Sequence, residues 1–316
     1  MFIYPKNEII LVTAGSTYLD IDAYACAVAM AELLSLRGEN AVAFSSAPFN
    51  YSVCDSLVEN SNMVRSLPDG LSIENVNYII VDVSDPEFLS DSVPLERVVE
   101  VYDHHVGFEE YWKDRIGEGT HIEFIGAAAT LIYREWENAG LQYKMSRSTA
   151  LLLIAAILDN TLDLTSANTT AEDIAVFNKL CEKESITREW CDSYFSKVQN
   201  NIEADLKNAI FKDIKIIRNN DILPTRMAQL CVWNADNIIL KLPQIRVLFH
   251  KEFEKVDSWM INIIDIKRRC SYFLCDSELH QKKLENVFDI SFIQGVAKTS
   301  KAYLRKEIIK ETISYK

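Results

Sequence analysis

The chain has 316 residues, of which 48% are hydrophobic, so it is long enough for two domains with separate apolar cores. Its formal net charge of −13 disfavours sequence-independent binding of nucleic acid, which needs Lys and Arg side chains to neutralise phosphates. We find no apolar run that suits a membrane span and no secretion signal. Seven cysteines without a Cys-x-x-Cys pair predict free thiols and a cytoplasmic location.

The first half of the chain alternates strand-like and helix-like segments. Short apolar runs rich in branched residues predict buried strands, and longer runs rich in Ala and Leu predict buried helices. The predicted strands are Ile9–Thr13, Asn40–Ser45, Tyr78–Val83 and Arg97–Tyr102, and the predicted helices are Ala23–Arg37, Ala127–Asn138 and Ser148–Leu158. Strands separated by helices predict an α/β domain, residues 1–190, with a mostly parallel sheet covered by helices.

The second half of the chain has fewer glycines and a different pattern. Residues 171–210 look helical and become more polar, which places the connection between the domains near 190–200. We predict a smaller C-terminal α+β domain, residues 200–316. Its predicted strands are Met227–Trp233, Ser258–Ile264 and Cys270–Cys275, and its predicted helices are Leu240–Val256 and Ser300–Ser314.

Acidic residues follow the predicted strands of the first domain, where ligands of open parallel sheets bind. Asp20 and Asp22 open the helix that follows the first strand, and an isolated Asp-x-Asp there would more often cap the helix. Asp82 follows the apolar run Tyr-Ile-Ile-Val, where a buried carboxylate is costly unless it is paired or metal-bound. Its structural alternative is a loop residue that accepts backbone hydrogen bonds.

The triplet Asp103-His104-His105 follows the next predicted strand and contains two of the five histidines of the chain. This arrangement is uncommon as a structural device, and carboxylate with imidazole is a suitable ligand set for Mn²⁺. Asp159, at the end of an apolar helix, is a further candidate, with Asp163 as the alternative. Together these groups are enough to hold two divalent cations that clamp a phosphoryl group and activate a bridging water.

An Asp-x-Asp, a strand-end Asp, an Asp-His-His and a later Asp, in this order, resemble the DHH phosphoesterase superfamily. The resemblance implies two Mn²⁺ ions, with Mg²⁺ or Co²⁺ as alternatives. Asp82 would bridge both ions, Asp20 would bind the first, and Asp22, His104 and Asp159 would bind the second. The resemblance also implies that His105 contacts or protonates the substrate phosphate and that Asp103 orients the histidines.

One residue departs from the pattern of the family II inorganic pyrophosphatases. Their first motif is His-x-x-x-Asp-x-Asp, and here Ser16 stands at the histidine position. Exopolyphosphatase relatives also lack this histidine, so the chain looks closer to them. A serine is a weaker ligand than a histidine, so we expect weaker binding at the first metal site.

The C-terminal segment favours the pyrophosphatase and exopolyphosphatase branch. The Gly-Gly-Gly-His loop of the nucleotide-cleaving branch is absent, and residues 295–306, GVAKTSKAYLRK, are similar to the end of a pyrophosphatase second domain. The resemblance implies phosphate binding by Arg305 and Lys306, with Lys215 as a third cation and Lys212 as its competitor. The structural alternative places Arg305 and Lys306 on the solvated face of a terminal helix.

These observations predict an enzyme that hydrolyses phosphoanhydride bonds of pyrophosphate or short polyphosphate with a metal-bridged hydroxide, in a cleft between the domains. The expected partner is a small phosphate-containing substrate, with neither a membrane nor a stable nucleic-acid complex, and a homodimer is left open. Two alternatives remain: a phosphodiesterase acting on short oligonucleotides or cyclic dinucleotides, and a metal-binding regulatory protein that has lost catalysis.

Overall fold

The computed structural model describes residues 8–59, 63, 65, 76–253 and 258–315. The chain divides into two compact units, Met1–Cys191 and Asp192–Lys316, and each contains a five-stranded sheet. The division falls inside a helix, Arg188–Ala204, in the region where the sequence predicts the connection.

The N-terminal unit is an α/β structure. Its strands are β1 (Ile9–Thr13), β2 (Ala41–Ala43), β3 (Val76–Val81), β4 (Val98–Asp103) and β5 (Thr120–Ile122). They form one parallel sheet in the order β2-β1-β3-β4-β5. Its helices are α1 (Ile21–Leu36), α2 (Asp55–Val58), α3 (Glu109–Ile116), α4 (Ala128–Asn138), α5 (Arg147–Asn160) and α6 (Ala171–Glu184), and α7 (Arg188–Ala204) crosses the division.

Burial in the core of this unit explains why its central elements are mostly apolar. All six residues of β3, the middle strand of the sheet, are buried, so apolar residues lie on both faces of the strand, with the buried Asn77 as an exception. The helix α1 packs against α4 and α5, and most residues of α1 and α5 are buried. This layer holds the carboxyl ends of β3 and β4 in fixed positions.

The C-terminal unit has a mixed sheet. Its elements are α8 (Leu206–Phe211), β6 (Lys215–Ile216), β7 (Arg226–Val232), α9 (Asp236–Leu240), α10 (Leu242–Glu252), β8 (Trp259–Asp265), β9 (Cys270–Cys275), α11 (Glu278–Phe288), β10 (Val296–Lys298) and α12 (Arg305–Ser314). The order is β10-β9-β8-β7-β6, and only β7 and β8 pair in parallel. Phe273 and Leu284 belong to the buried core on one face of this sheet.

The predicted fold class is confirmed: a parallel, helix-covered sheet is followed by a smaller α+β unit. Several predicted elements have shifted ends, and the two predicted C-terminal helices differ more. The helix predicted over Leu240–Val256 is interrupted, because Pro243 lacks the N–H that would continue α9 into α10; residues 254–256 lie outside the described residues. The helix predicted from Ser300 begins only at Arg305, because Thr299 and Tyr303 bond to Ser271 of β9.

All seven cysteines are free thiols, and five of them are buried. In the described part of the chain, no helix combines the length and the apolar composition that a membrane crossing requires.

Replacing Ile80 with Ala should destabilise the N-terminal unit by about 2–5 kcal/mol, because Ile80 is fully buried in β3 and its loss leaves a cavity. Urea denaturation followed by circular dichroism measures this change. Leu36→Ala, at the more exposed end of α1, is the control and should change stability by about 0.5 kcal/mol or less. Equal stability of Ile80→Ala and the unmodified protein would contradict the central position of β3.

Candidate metal centre

The chain turns sharply at Asp82, the residue after β3. Its φ of 57° lies in the left-handed region, which non-glycine residues rarely adopt, although Asp and Asn tolerate it best. The Asp82 N–H donates to the carbonyl of Tyr102 at 2.8 Å, which ties this turn to β4. The Asp82 side chain is only 5% exposed, so its carboxylate is buried at the carboxyl end of the sheet. Backbone strain of this kind is concentrated at functional sites.

Asp103, the last residue of β4, organises the Asp-His-His triplet. Its Oδ1 accepts hydrogen bonds from the backbone N–H of His104 at 2.7 Å, from the N–H of His105 at 3.1 Å and from Nδ1 of His105 at 2.9 Å. Burial opposes ionisation of Asp103, but the hydrogen bond and charge of His105 outweigh it and lower the pKa of Asp103. Asp103 therefore binds the backbone of both histidines and the ring of His105, and its role in orienting them for a metal stays a prediction.

His104 presents one ring nitrogen to Asp82. Its Nδ1 lies 3.2 Å from the carbonyl oxygen of Ile125, which can only accept, so Nδ1 carries the proton and Nε2 keeps its lone pair. Nε2 lies 3.4 Å from Oδ1 of Asp82. Neighbouring ligands of an octahedral cation are separated by about 3.0 Å when the metal–ligand distance is about 2.1 Å. The two atoms are therefore placed to share one metal ion.

His105 has a different environment. Its side chain is 60% exposed, and Nδ1 lies 2.9 Å from Oδ1 of Asp103 but 4.0 Å from Oδ1 of Asp82. The rings of His104 and His105 meet edge to face, with centroids 4.3 Å apart. His105 is thus held at the border of the site, on the side open to solvent.

The electrostatics of the site favour a cation. Candidate ligand atoms of four residues lie within 4.8 Å of one another: Asp82, Asp103, His104 and His105. Burial, followed by the charges of Asp22, Asp20 and Asp103, raises the pKa of Asp82 well above its ordinary value. Within the described residues, Oδ1 of Asp82 is buried and accepts no hydrogen bond. A buried oxygen surrounded by like charges suits a divalent ion, so the residues present fit a metal.

Asp20 and Asp22 lie beside this group, and both also have structural contacts. Asp20 is the N-cap of α1, where its Oδ1 accepts from Ala23 N at 2.9 Å, and it lies near enough to Asp82 to raise the pKa of that carboxyl. Asp22 is fully buried and accepts from Ala128 N at 2.8 Å and Ala129 N at 2.9 Å. Asp22 therefore caps α4 from a neighbouring helix, a role that the sequence did not suggest.

Asp159 is half-buried in the last turn of α5 and is not a member of the four-residue group. The alternative, Asp163, forms an ion pair with Arg188 at 2.6 Å. It lies between Leu162 and Leu164, and all three residues have positive φ values near 50–60°. The ion pair favours a structural role for Asp163, and a ligand role for Asp159 stays a prediction.

Ser16, at the position of the family II histidine, is turned towards the backbone. Its Oγ donates to the carbonyl of Phe88 at 3.1 Å, and its N–H donates to the same oxygen at 2.8 Å. The hydroxyl and the backbone N–H of Ser16 thus both donate to the carbonyl of Phe88, an arrangement that disfavours Ser16 as a metal ligand.

In the C-terminal unit, Arg305 is buried and already paired. Its guanidinium donates to both carboxylate oxygens of Asp213, at 2.8 and 3.0 Å, and to the carbonyl of Met227 at 3.0 Å. Lys215 lies near enough that burial and then the charge of Arg305 lower its pKa, while Lys306 is exposed in the first turn of α12. These contacts favour a structural role for Arg305, and phosphate binding by the three residues stays a prediction.

Residues 125–129 form hydrogen bonds with two candidate metal ligands, His104 and Asp22. The sequence did not identify residues 125–129 as part of the site. The segment accepts from His104 through the Ile125 carbonyl and donates to Asp22 through Ala128 and Ala129. The contact partners are backbone atoms, which no side-chain motif reveals. The one local signal in the sequence is Gly126, just before α4.

Comparison with known proteins places the chain near pyrophosphatases. No family model matches it. Over 185 residues it is 26% identical to a protein of Bacillus mycoides (strain KBAB4) named "probable manganese-dependent inorganic pyrophosphatase", a match that covers 55% of this chain and 54% of that protein. A protein of Bacillus cereus (strain AH187) with the same name is 27% identical over 173 residues, covering 52% of each. The chain spans about half the length of the curated relatives that it matches.

The fold resembles the crystal structure of a Methanococcus jannaschii protein described as a "putative family II inorganic pyrophosphatase". The TM-score is 0.66 at 18% identity, and the match covers 94% of this chain and 95% of the other. At this identity the likeness concerns the fold. The matched sequence is therefore similar to manganese-dependent inorganic pyrophosphatases, and the fold is similar to that of the Methanococcus jannaschii protein.

Proposed function

We propose that the chain is a manganese-dependent hydrolase of phosphoanhydride bonds in pyrophosphate or short polyphosphate. The observation that carries the proposal is the meeting of Asp82 and His104, from the ends of adjacent strands, with Nε2 and Oδ1 3.4 Å apart in a buried acidic group. The names of the relatives support the same reaction class and the same metal. Mg²⁺ and Co²⁺ are the alternative metals of this proposal.

The metal ligands in this proposal are Asp82 and His104, with Asp20, Asp22 and Asp159 completing two sites. The oxygen and imidazole donors are suited to Mn²⁺. When bound, such an ion supplies positive charge to the phosphoryl group and lowers the pKa of water. The backbone bonds that Asp22 and His104 make to residues 125–129 orient both side chains before any metal arrives.

The role of His105 in this proposal follows from its position. Asp103 binds Nδ1 of His105, which fixes the ring plane while most of the side chain stays exposed. A histidine held by a carboxylate in this way can donate a hydrogen bond or a proton to a phosphate oxygen at the border of the site. We therefore assign substrate contact to His105 and orientation of His105 to Asp103.

The remaining parts of the proposal concern partners. The substrate is a small phosphate-containing molecule, and the acidic balance of the chain disfavours nucleic acid. Lys215 and Lys306 are proposed to bind phosphate, with Arg305 supporting them through its ion pair with Asp213. We also propose a cytoplasmic location, and a homodimer stays an open prediction.

Asp82→Asn should lower the hydrolysis of pyrophosphate by about 10³-fold or more, because the neutral amide cannot supply the anionic ligand. Asn tolerates the left-handed backbone at this position, so the fold should be retained. Steady-state phosphate release with Mn²⁺ measures the effect. The matched control is Asp85→Asn in the same loop, where the carboxylate accepts from Glu87 N, and its rate should stay near that of the unmodified protein. Near-normal turnover by Asp82→Asn would refute the site.

A substrate panel with Mn²⁺ tests the reaction itself. We expect phosphate release from pyrophosphate and tripolyphosphate to exceed release from long polyphosphate and to exceed cleavage of a dinucleotide or a cyclic dinucleotide. Preference for a nucleotide diester would replace the proposal with the phosphodiesterase alternative. Stoichiometric Mn²⁺ binding without hydrolysis of any member would indicate a metal-binding protein that has lost catalysis.

The stabilising contribution of Asp22 to the metal-free protein should fall as the pH rises from about 4 to about 7. Burial, followed by the charge of Asp20, raises the pKa of Asp22 from 3.8 to about 7. Between these two pKa values, the folded protein binds a proton that the unfolded chain has lost. The stabilising contribution of Asp22 is therefore complete below pH 3.8 and is lost as the pH rises to about 7.

The measurement is the melting temperature in EDTA across this pH range for the unmodified protein and for Asp22→Asn, which cannot titrate. The difference between the two proteins should change with pH, and Mn²⁺ at neutral pH should raise the melting temperature of the unmodified protein. A difference that is constant with pH would contradict the assigned titration.

A further inference from the structure

The segment 125–129, which we call the support loop, contacts two candidate metal ligands at once. The Ile125 carbonyl lies 3.2 Å from Nδ1 of His104, and the N–H groups of Ala128 and Ala129 bind the two oxygens of Asp22. All three contacts use backbone atoms of the loop. The direction of both side chains therefore depends on where the loop backbone lies.

A buried carboxylate outside the metal centre holds the support loop. Asp173, in the first turn of α6, is fully buried, and its Oδ2 accepts from Gly126 N at 2.9 Å. Its Oδ1 accepts from Thr130 Oγ1 at 2.6 Å. The same Oδ2 accepts from the N–H and the hydroxyl of Thr170, both at 2.7 Å. Asp173 thus completes the capping box of α6. It also accepts hydrogen bonds from Gly126, just before α4, and from Thr130, in the first turn of α4.

The approach between Asp173 and Gly126 leaves no room for a side chain. A Cβ atom at Gly126 would lie 2.6 Å from Oδ2 of Asp173 and 2.7 Å from Cγ2 of Thr161. The carbonyl of Gly126 accepts from Asn168 Nδ2 at 3.2 Å, so the peptide groups on both sides of Gly126 are bound. A capping box needs only partners within its own helix turn, whereas these contacts reach back 42 and 47 residues. They fix the support loop specifically.

We propose that Asp173 is a positioning residue of the metal centre, which acts through the support loop to aim His104 and Asp22 at the metal. This inference rests on the proposed function only in taking these two side chains as metal ligands. It assigns to Asp173 no contact with metal or substrate. Outer groups that orient metal-binding histidines through hydrogen bonds contribute strongly to metal affinity.

The test compares Mn²⁺ affinity in Asp173→Ala and Asp173→Asn by isothermal titration calorimetry without substrate. Asp173→Ala removes all four bonds and should raise the Kd by about 10–100-fold. Asp173→Asn can keep the carbonyl oxygen at the Oδ2 position and donate to Thr130, so its Kd should stay close to that of the unmodified protein. Hydrogen exchange in EDTA should show faster exchange of the support-loop amides in Asp173→Ala.

A matched control separates positioning from general stability. Asp265, in β8, is also fully buried and binds a backbone N–H, that of Ala235, at 3.0 Å. Asp265→Ala should lower the melting temperature while leaving the Mn²⁺ Kd unchanged. If Asp173→Ala does not fold, Thr130→Val removes one of the four bonds with little change of shape and should raise the Kd by about 2–5-fold.

The outcomes distinguish this inference from the proposed function. If folded Asp173→Ala binds Mn²⁺ as tightly as the unmodified protein, the positioning role is wrong, whatever the protein hydrolyses. The positioning role is also wrong if Asp265→Ala weakens Mn²⁺ binding as much as Asp173→Ala does. If Asp173→Ala does not fold, an unchanged Mn²⁺ Kd in Thr130→Val shows that the positioning role is wrong. If the unmodified protein binds Mn²⁺ but hydrolyses no phosphoanhydride, the proposed function fails while the positioning role stands.

Discussion

The structure of the N-terminal unit depends on the burial of several carboxylates at one end of a parallel sheet. Val81 and Tyr102 are paired across β3 and β4, so the residues that follow, Asp82 and Asp103, arrive side by side at the carboxyl edge. Such a concentration of buried negative charge is unfavourable without compensation. Burial and the neighbouring carboxylates raise the pKa of Asp82. A divalent cation would offset this repulsion between negative charges.

The side chains of the site are held mainly by backbone groups. Asp22 binds the first N–H groups of α4, His104 binds a carbonyl, and Asp103 binds two N–H groups of its own turn. These backbone partners lie at the end of β4, in the support loop and in the first turn of α4, and they restrict how far Asp22, Asp103 and His104 can move apart without a metal.

The sequence predicts the elements whose burial is complete, and it predicts less where contacts are long-range. The runs that form β1 and β3 are recognisable because parallel strands need continuous apolar residues. The short β5 and the polar α3 have no such pattern, so the sequence alone does not predict them. These elements owe their structure to neighbours in the fold rather than to their own sequence.

The candidate site shows the same division. Strand ends predict that Asp82 and His104 meet, because topology alone brings those positions together. The ion pair of Arg305 with Asp213 joins residues 92 positions apart, and nothing in a basic dipeptide reveals it. The roles of Gly126 and Asp173 cannot be predicted from the sequence for the same reason. The role of each residue depends on its contact with the other, 47 positions away.

The parallel topology of the first sheet also has a consequence for how the protein folds. Consecutive strands are joined by long connections, and the residues that form and support the candidate metal centre run from Asp20 to Asp173. A topology dominated by non-local pairings forms slowly, since loop-closure entropy must be overcome before those contacts exist. The ion-binding centre can therefore form only when the chain has completed nearly the whole unit, and manganese would act as a late ligand that selects fully assembled molecules.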